Sequence, residues 1–172
     1  MALKRIHIVG GRNQGKTTLI EDLLPELQGR GLKVGTIKHS RHVHQVDKPG
    51  KDSHRHHQAG GHPWAIISGA VTALFLHSQG GERDYASLQA HYADCDLVLV
   101  EGHIDSTAPR LEVWREETGE RPLAASHSGV KVLISDDQPD PSWGLDPALQ
   151  IWSRSDVQGL ADRILKLADS AA

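Results

Sequence analysis

A glycine-rich octet, Gly10 to Thr17, constrains the fold of this chain more than any other feature. It satisfies the pattern G-x-x-x-x-G-K-[ST] and lies between a strand pattern at Arg5 to Val9 and an amphipathic helix pattern at Thr17 to Leu27. In that setting glycines let successive backbone N–H groups turn inward around phosphates, and the helix adds its positive end. We predict that Lys16 reaches the β- and γ-phosphates of a nucleotide and that the Thr17 hydroxyl binds Mg²⁺.

The order of the remaining elements indicates an α/β fold. A second strand at Leu32 to Ile37 completes a strand, loop, helix, strand unit, which is typical of a parallel sheet. At 172 residues the chain is long enough for one such domain, so we expect a single P-loop NTPase domain over residues 1–172, with a mainly parallel central sheet flanked by helices. The other predicted elements are strands at Leu97 to Val100, Leu111 to Trp114 and Val130 to Ile134, a hairpin of Ala65 to Ser68 and Val71 to His77, helices at Asp52 to Ala59, Tyr85 to Tyr92 and Asp156 to Leu167, and a loop at Gln138 to Pro147.

A carboxylate follows the most apolar of the predicted strands. Leu97 to Val100 is a continuous apolar run, as expected of a strand buried on both faces, and Glu101 comes next. Because parallel strands present their carboxyl ends at one edge of a sheet, Glu101 is expected beside the phosphate loop, where a second group for Mg²⁺ is needed. We predict Thr17 and Glu101 as the metal-side pair, with a solvated strand-end carboxylate as the alternative.

The segment from about 38 to 62 is basic and rich in histidine. It contains seven of the twelve histidines, and its loop from Lys38 to Lys51 is longer than a simple connection requires. Three interpretations remain open: a solvated loop, a transition-metal site, or an anion pocket. The residues proposed for that anion pocket are Lys38, His39, Lys48, Lys51 and Asp52.

Two further features concern the neighbourhood of the nucleotide. The turn Pro49 to Ser53 is expected to place Lys51 and Asp52 at a helix start, where a group that senses the γ-phosphate or a second ligand would be useful. Asp136 follows the predicted strand Val130 to Ile134, and its carboxylate could accept hydrogen bonds from guanine N1 and N2, which adenine cannot offer. A loop or capping carboxylate is the alternative for Asp136.

Composition excludes several classes of protein. The formal net charge is -3, so the chain as a whole offers no positive field for nucleic acid, and its apolar runs are too short to span a membrane. The first residues enter a strand pattern without a secretory signal, and the single cysteine, Cys95, can form no internal disulfide. We therefore expect a soluble protein of the cytoplasm.

Several blocks of sequence together resemble the MobB family of molybdopterin-guanine dinucleotide biosynthesis proteins. The blocks are Gly15-Lys16-Thr17-Thr18-Leu19, Val34-Gly35-Thr36-Ile37-Lys38-His39, Asp47-Lys48-Pro49-Gly50-Lys51-Asp52-Ser53, Ala59-Gly60 and Leu99-Val100-Glu101-Gly102. The likeness covers about Ile6 to Arg115, with a looser match through Ser135-Asp136 and the final helix. The Lys-Pro-Gly-Lys-Asp-Ser block makes it specific, since that block is not a general feature of P-loop proteins.

The resemblance implies a homodimeric, cytoplasmic GTP-binding protein with weak GTPase activity. It would act beside the transferase that joins GMP to molybdopterin, and molybdopterin itself is a second candidate ligand. The alternatives from the residues are a GTPase that delivers nickel or zinc and a small-molecule P-loop kinase. The full set of candidate residues is Lys16 and Glu101 for catalysis, Thr17 and Glu101 for Mg²⁺, and Gly10, Gly11, Arg12, Asn13, Gln14, Gly15, Lys16, Thr17, Thr18, Lys38, His39, Lys51, Asp52 and Asp136 for binding GTP or the second ligand.

Overall fold

A computed structural model describes residues 3–42 and 46–171 of the chain. The strands are β1 (Arg5–Val9), β2 (Val34–Lys38), β3 (Trp64–Ser68), β4 (Val71–Phe75), β5 (Leu97–Glu101), β6 (Arg110–Val113), β7 (Val132–Ile134) and β8 (Gln150–Trp152). The helices are α1 (Lys16–Gly29), α2 (Asp52–Gln58), α3 (Glu82–Leu88) and α4 (Val157–Ser170). Short 3₁₀ turns lie at Gln89–Tyr92, Glu116–Thr118, Leu123–Ala125 and Pro141–Trp143.

Six of the strands form a parallel sheet in the order β2-β5-β1-β6-β7-β8. β1 therefore lies between β5 and β6, with Ile8 opposite Glu101 on one side and Leu111 on the other. All five strand pairs of this sheet are parallel, so every strand presents its carboxyl end at the same edge. The α/β class with helices flanking a parallel sheet is thus confirmed.

The two faces of the sheet bury different side chains because successive residues of a strand point to opposite faces. Ile6 and Ile8 belong to the main core, which they share with the apolar stripes of α1 and α4. His7 and Val9 belong to the other face, where α3 contributes the buried Tyr85. The main core therefore holds α1, and with it the glycine-rich loop, firmly against β1.

A two-stranded antiparallel sheet, β3 with β4, is separate from the main sheet. Trp64 stacks on Phe75 across the pair and on His57 of α2, with ring centroids 4.9 and 3.8 Å apart. Much of the remaining apolar surface of this hairpin faces solvent: Ile67 is 83% exposed and Val71 is 64% exposed. The hairpin predicted around Gly69 is present, and β4 ends at Phe75, two residues earlier than expected.

The edge strand β8 was not predicted from the sequence. It has three residues, and its pattern is too short for alternation to be recognised; pairing of Val132 with Gln150 and of Ile134 with Trp152 creates it. The strand expected from Val130 begins at Val132, and the helix expected from Tyr85 begins at Glu82 and tightens into a 3₁₀ turn at Gln89. No helix within the described ranges has the length and apolar character needed to cross a bilayer.

Candidate functional site

The loop between β1 and α1 adopts a backbone that requires glycine. Gly10 has φ 144° and Gly15 has φ 87°, both in the region that side chains disfavour. A Cβ on Gly10 would also lie 2.4 Å from the carbonyl oxygen of Val113, so β6 leaves no room for a side chain there. The loop therefore curls at the carboxyl edge of the sheet and leads directly into the N-terminus of α1, which favours an anion.

Lys16 lies across this loop. Its Nζ donates to the carbonyl oxygens of Gly10 and Gly11 at 3.0 and 2.5 Å. Burial lowers the pKa of Lys16 below its ordinary value, and the negative charge of Glu101 opposes that shift. The ammonium group is thus held over the centre of the loop, and a rotation of the Lys16 side chain would bring it to a phosphate bound there.

Thr17, Glu101 and Lys38 meet beside the loop. The Thr17 Oγ1 donates to Glu101 Oε2 at 2.9 Å, and the Lys38 Nζ donates to Glu101 Oε1 at 3.1 Å. Glu101 ends β5 and Lys38 ends β2, and the two are register partners in the sheet. A hydroxyl and a carboxylate are hard oxygen donors that suit Mg²⁺, so this pair fits a magnesium ion bound beside the loop.

These side chains line an open cavity of about 440 Å³, a volume in the range of small-ligand sites. Its wall has four cationic side chains and one carboxylate. Such a balance favours a polyanion over a neutral ligand. The lining residues are Arg12, Asn13, Gly15, Lys16, Thr17, Thr18, Lys38, Glu101 and Arg115.

Gln14 of the loop faces away from the cavity. Gln14 is only 1% exposed. Its Oε1 accepts from the backbone N–H of Arg115 at 2.5 Å, and its Nε2 donates to the hydroxyl of Thr118 at 2.6 Å. Arg115 follows β6 and was not among the predicted site residues. Nothing in its local sequence marks it, because only the pairing of β6 with β1 brings it to the loop.

Besides Gly10, Gly11 and Gln14 of the loop itself, four of the predicted binding residues lie outside the cavity wall. Lys51 and Asp52 are exposed at the start of α2, where the sequence predicts a helix to begin. They do not line the cavity beside the glycine-rich loop. Asp136 is exposed, and its carboxylate already accepts from the Ser153 hydroxyl at 2.7 Å and the Ser155 N–H at 3.1 Å. These hydrogen bonds lower the pKa of Asp136 below its ordinary value, and the bond from Ser153 has the largest effect.

His39, the fourth, stacks on His103 with ring centroids 4.1 Å apart. His103 in turn shares a hydrogen bond of 2.8 Å with the Tyr85 hydroxyl. Burial, followed by the proximity of His39, lowers the pKa of His103. His39 therefore forms part of an aromatic cluster that directly follows the strand ends carrying Lys38 and Glu101.

The histidine-rich segment forms no metal centre in the part of the chain that the structure describes. There, no three side chains of His, Cys, Asp or Glu come together in an arrangement that could hold a metal ion. His57 stacks on Trp64, and His62 lies against His77 with centroids 3.8 Å apart. His44, which belongs to this segment, lies outside the described residues.

The glycine-rich loop lies between a central parallel strand and a helix, and a strand-end carboxylate is hydrogen-bonded to the threonine that follows the loop lysine. This arrangement defines a P-loop NTPase-like protein. Comparison with known proteins makes this more specific. A profile of the family "MobB: Molybdopterin guanine dinucleotide synthesis protein B" matches residues 5–136. The chain belongs to this family, and its role is therefore in the biosynthesis of molybdopterin guanine dinucleotide, a part of molybdenum cofactor biosynthesis.

Relatives and solved structures agree with this assignment. The chain is 33% identical over 155 residues to the molybdopterin-guanine dinucleotide biosynthesis adapter protein of Escherichia coli K12. The aligned region covers 88% of this chain and 86% of that protein. It is 40% identical over 118 residues to the adapter protein of Haemophilus influenzae, over 64% of this chain and 62% of that one. A crystal structure of molybdopterin-guanine biosynthesis protein B has a TM-score of 0.67 at 25% identity, over 95% of this chain and 99% of the other. A MobB homologue from Bacillus stearothermophilus, at 22% identity and a TM-score of 0.64, shares the fold over 98% of this chain and 99% of its own.

Proposed function

We propose that the protein binds Mg²⁺ and GTP at the Gly10 to Thr17 loop, hydrolyses GTP slowly, and assists the attachment of GMP to molybdopterin. The observation that supports this most directly is the hydrogen bond of 2.9 Å between Thr17 Oγ1 and Glu101 Oε2. It joins the loop to a strand-end carboxylate on the side where a metal would neutralise phosphate charge. The resemblance to other members of the family supplies the choice of GTP and of the pathway step.

The residues around the loop have distinct tasks in this proposal. Lys16 exchanges its two loop carbonyls for phosphate oxygens, which are stronger acceptors because they are charged. Thr17 and Glu101 would hold Mg²⁺, and the ion would neutralise negative charge of the phosphates when bound. Lys38 keeps one oxygen of Glu101 engaged, so the other is directed to the metal side.

Slow hydrolysis follows from the carboxylates available. Among the described residues lining the cavity, Glu101 is the one carboxylate, and both of its oxygens are already hydrogen-bonded. A water molecule next to the terminal phosphate would therefore meet no free general base in this wall. The proposed activity is binding with weak turnover, which suits a protein whose full effect needs a partner.

The choice of guanine is tested by calorimetric titration with GTP and with ATP, each with Mg²⁺. We expect measurable binding of GTP and at least ten-fold weaker binding of ATP, since a site built to pair with the guanine edge leaves its groups unpaired against adenine. Asp136 is the proposed reader of the base and would have to exchange its bonds to Ser153 and Ser155 for guanine. Equal affinity for the two nucleotides would contradict the guanine assignment.

A homodimer is the proposed assembly. The observation that favours it is the hairpin of β3 and β4, whose large apolar residues face solvent although most others in the described chain are buried. These exposed residues are Ile66, Ile67, Val71 and Leu74. A second copy of the chain is the partner that an apolar surface of this kind most often meets.

The proposed partners in the pathway are the GMP transferase and molybdopterin, and the proposed place of action is the cytoplasm. The curated relatives are named adapter proteins, which suits a protein that acts on or beside another enzyme. The test compares molybdoenzyme activity in cells with and without the gene, complemented by wild type or by the Lys16→Ala variant. Full activity without the gene, in cells shown to carry no second copy, would contradict this role.

A further inference from the structure

We infer that Arg115 is a phosphate ligand of the nucleotide site, supplied from the strand next to the glycine-rich loop on the side opposite to Glu101. The inference rests on the proposed function only in that a nucleotide binds at the loop. It assigns a residue that lies outside the P-loop sequence motif and is fixed there by the loop's own Gln14. Its consequence is a site that surrounds the phosphates from both neighbouring strands.

The position of the Arg115 guanidinium is the first argument. A Cβ built on Gly15 would lie 2.6 Å from Arg115 Nη2 and 3.0 Å from Cζ, so the guanidinium lies directly over the backbone of Gly15. Gly15 is the N-cap of α1, where backbone N–H groups face a bound phosphate. The cation is therefore next to the phosphate position defined by the end of the loop and the start of the helix.

The anchoring of the Arg115 backbone is the second argument. Gln14, buried inside the loop, accepts from the Arg115 N–H and donates to Thr118, whose hydroxyl donates back to the Arg115 carbonyl oxygen at 3.1 Å. The adjoining Glu116 N–H donates to Asp137 at 3.0 Å. A buried side chain of the phosphate loop thus serves to fix the backbone of Arg115, which reduces the ordering needed when a ligand binds.

The charge arrangement is the third argument. Thr17, Glu101 and Lys38 occupy the β5 side of the loop, and Arg115 occupies the β6 side, since β1 lies between these strands. The ion pair of Arg115 with Glu117 is 3.2 Å long, and the Glu117 side chain is 71% exposed, so this pair is weak. Phosphate oxygens that face away from the metal side would then meet the guanidinium, which can bind two of them at once.

Affinity for labelled nucleotides tests this inference. Fluorescence titration with mant-GTP, mant-GDP and mant-ATP in Mg²⁺ is carried out on wild type, Arg115→Ala and Arg115→Lys. Because Gly15 lies at the helix start, Arg115→Ala should weaken mant-GTP and mant-GDP alike by roughly ten-fold or more, the range of one charge-assisted contact, and Arg115→Lys should recover part of the loss. Arg163→Ala, which removes an exposed arginine from α4, is the matched control and should bind as wild type.

The outcomes separate this inference from the proposed function. Unchanged affinity of Arg115→Ala for both mant-GTP and mant-GDP overturns the role of Arg115 and leaves GTP binding by wild type intact. Equal binding of mant-GTP and mant-ATP by wild type, with both lost in Arg115→Ala, overturns the guanine assignment and supports Arg115. Failure of wild type to bind any of the three nucleotides overturns both. A melting temperature of Arg115→Ala within about 4 °C of wild type shows that the loss of nucleotide affinity is not a folding defect. Glu117→Ala, which removes the ion-pair partner of the guanidinium, should bind mant-GTP no more weakly than wild type.

Discussion

His7 is a buried polar residue on the central strand that carries the glycine-rich loop. It is fully buried, and its Nδ1 lies 3.1 Å from the carbonyl oxygen of Gly102. A carbonyl can only accept, so the neutral ring carries its proton on Nδ1, and Nε2 accepts from Arg5 Nε at 3.2 Å. His7 thus ties β1 to the turn directly after Glu101.

The pH dependence of stability follows from this environment. Burial lowers the pKa of His7 from 6.5 to about 4, so the unfolded chain takes up a proton before the folded chain does. The contribution of the neutral ring is complete above pH 6.5 and is lost as pH falls toward 4; the shift corresponds to about 3 kcal/mol. We expect the difference in unfolding free energy between wild type and His7→Gln, measured by urea titration, to decrease by that order between pH 7 and pH 4. A difference that is constant with pH would show that His7 does not titrate in this way.

Lys16 gives the corresponding prediction for ligand binding. Lys16→Ala should weaken GTP by roughly ten- to hundred-fold, because one charge-assisted contact to the phosphates is lost. The two hydrogen bonds to Gly10 and Gly11 are replaced by water, so the melting temperature should change by no more than about 4 °C. Calorimetry and thermal melts measure the two effects, and Lys33→Ala, an exposed lysine before β2, is the control for loss of positive charge. Wild-type affinity in Lys16→Ala would remove Lys16 from its assigned role.

Residues differ in how much of their role the sequence reveals. Gly10 and Lys16 are recognisable because their motif spans eight positions and needs no distant contact. Glu101 was found because an apolar strand ends at it, and the structure brings it to Thr17. Arg115 and His7 carry no local signal, because each depends on which strands are neighbours in the sheet.

At the scale of elements, Asp47 connects α2 to the hairpin of β3 and β4. Its Oδ1 accepts from the Ser53 hydroxyl at 2.9 Å, and its Oδ2 accepts from the Trp64 Nε1 at 3.1 Å. α2 buries none of its own residues, so it depends on such contacts. The Asp47 to Ser53 block thus has a structural use, namely the attachment of α2 to the hairpin.

Asp47→Ala should loosen these elements and leave the nucleotide site unchanged. We expect backbone amides of α2 and β3 to exchange with deuterium on the order of ten-fold faster, because both hydrogen bonds to the carboxylate are lost. Amides of β1 and α1 should exchange at the wild-type rate. Asp52→Ala, which removes an exposed carboxylate from the same helix, is the control and should have a smaller effect. Uniformly faster exchange throughout the chain would contradict a local role for Asp47.

Elements were predictable in proportion to their length and pattern. α1, β1 and β5 were located to within a few residues, since α1 has a regular helical stripe of apolar residues and β1 and β5 are rich in apolar strand formers. β8 was missed because three residues give no pattern, and it exists only through its bonds to β7. The tight turn at Pro141–Trp143 was included in a predicted loop; its start is fixed by Asp140, which accepts from the Ser142 N–H.

For the whole molecule, the exposed hairpin gives the prediction for assembly. Ile67→Glu should convert the proposed dimer to a monomer at micromolar concentration, because a charge would have to be buried in an apolar contact. Light scattering after size exclusion gives the mass, and far-ultraviolet circular dichroism verifies the fold. Ile151→Glu, a matched substitution of an exposed isoleucine on β8, should remain dimeric. A monomeric wild type, or a dimeric Ile67→Glu variant, would contradict the proposed interface.

The strand order also affects how the chain reaches its folded state. β1 is translated before both of its neighbours in the sheet, and both are distant from it in sequence, since Arg5 pairs with Val98 and Ile8 pairs with Leu111. Such a high contact order makes folding slow, because long loops must close before the contacts that stabilise them form. The glycine-rich loop is therefore synthesised before its partners and can acquire Glu101 and Arg115 only after β5 and β6 have been translated. A nascent chain arrested before β5 should accordingly hold no nucleotide, however complete its phosphate loop.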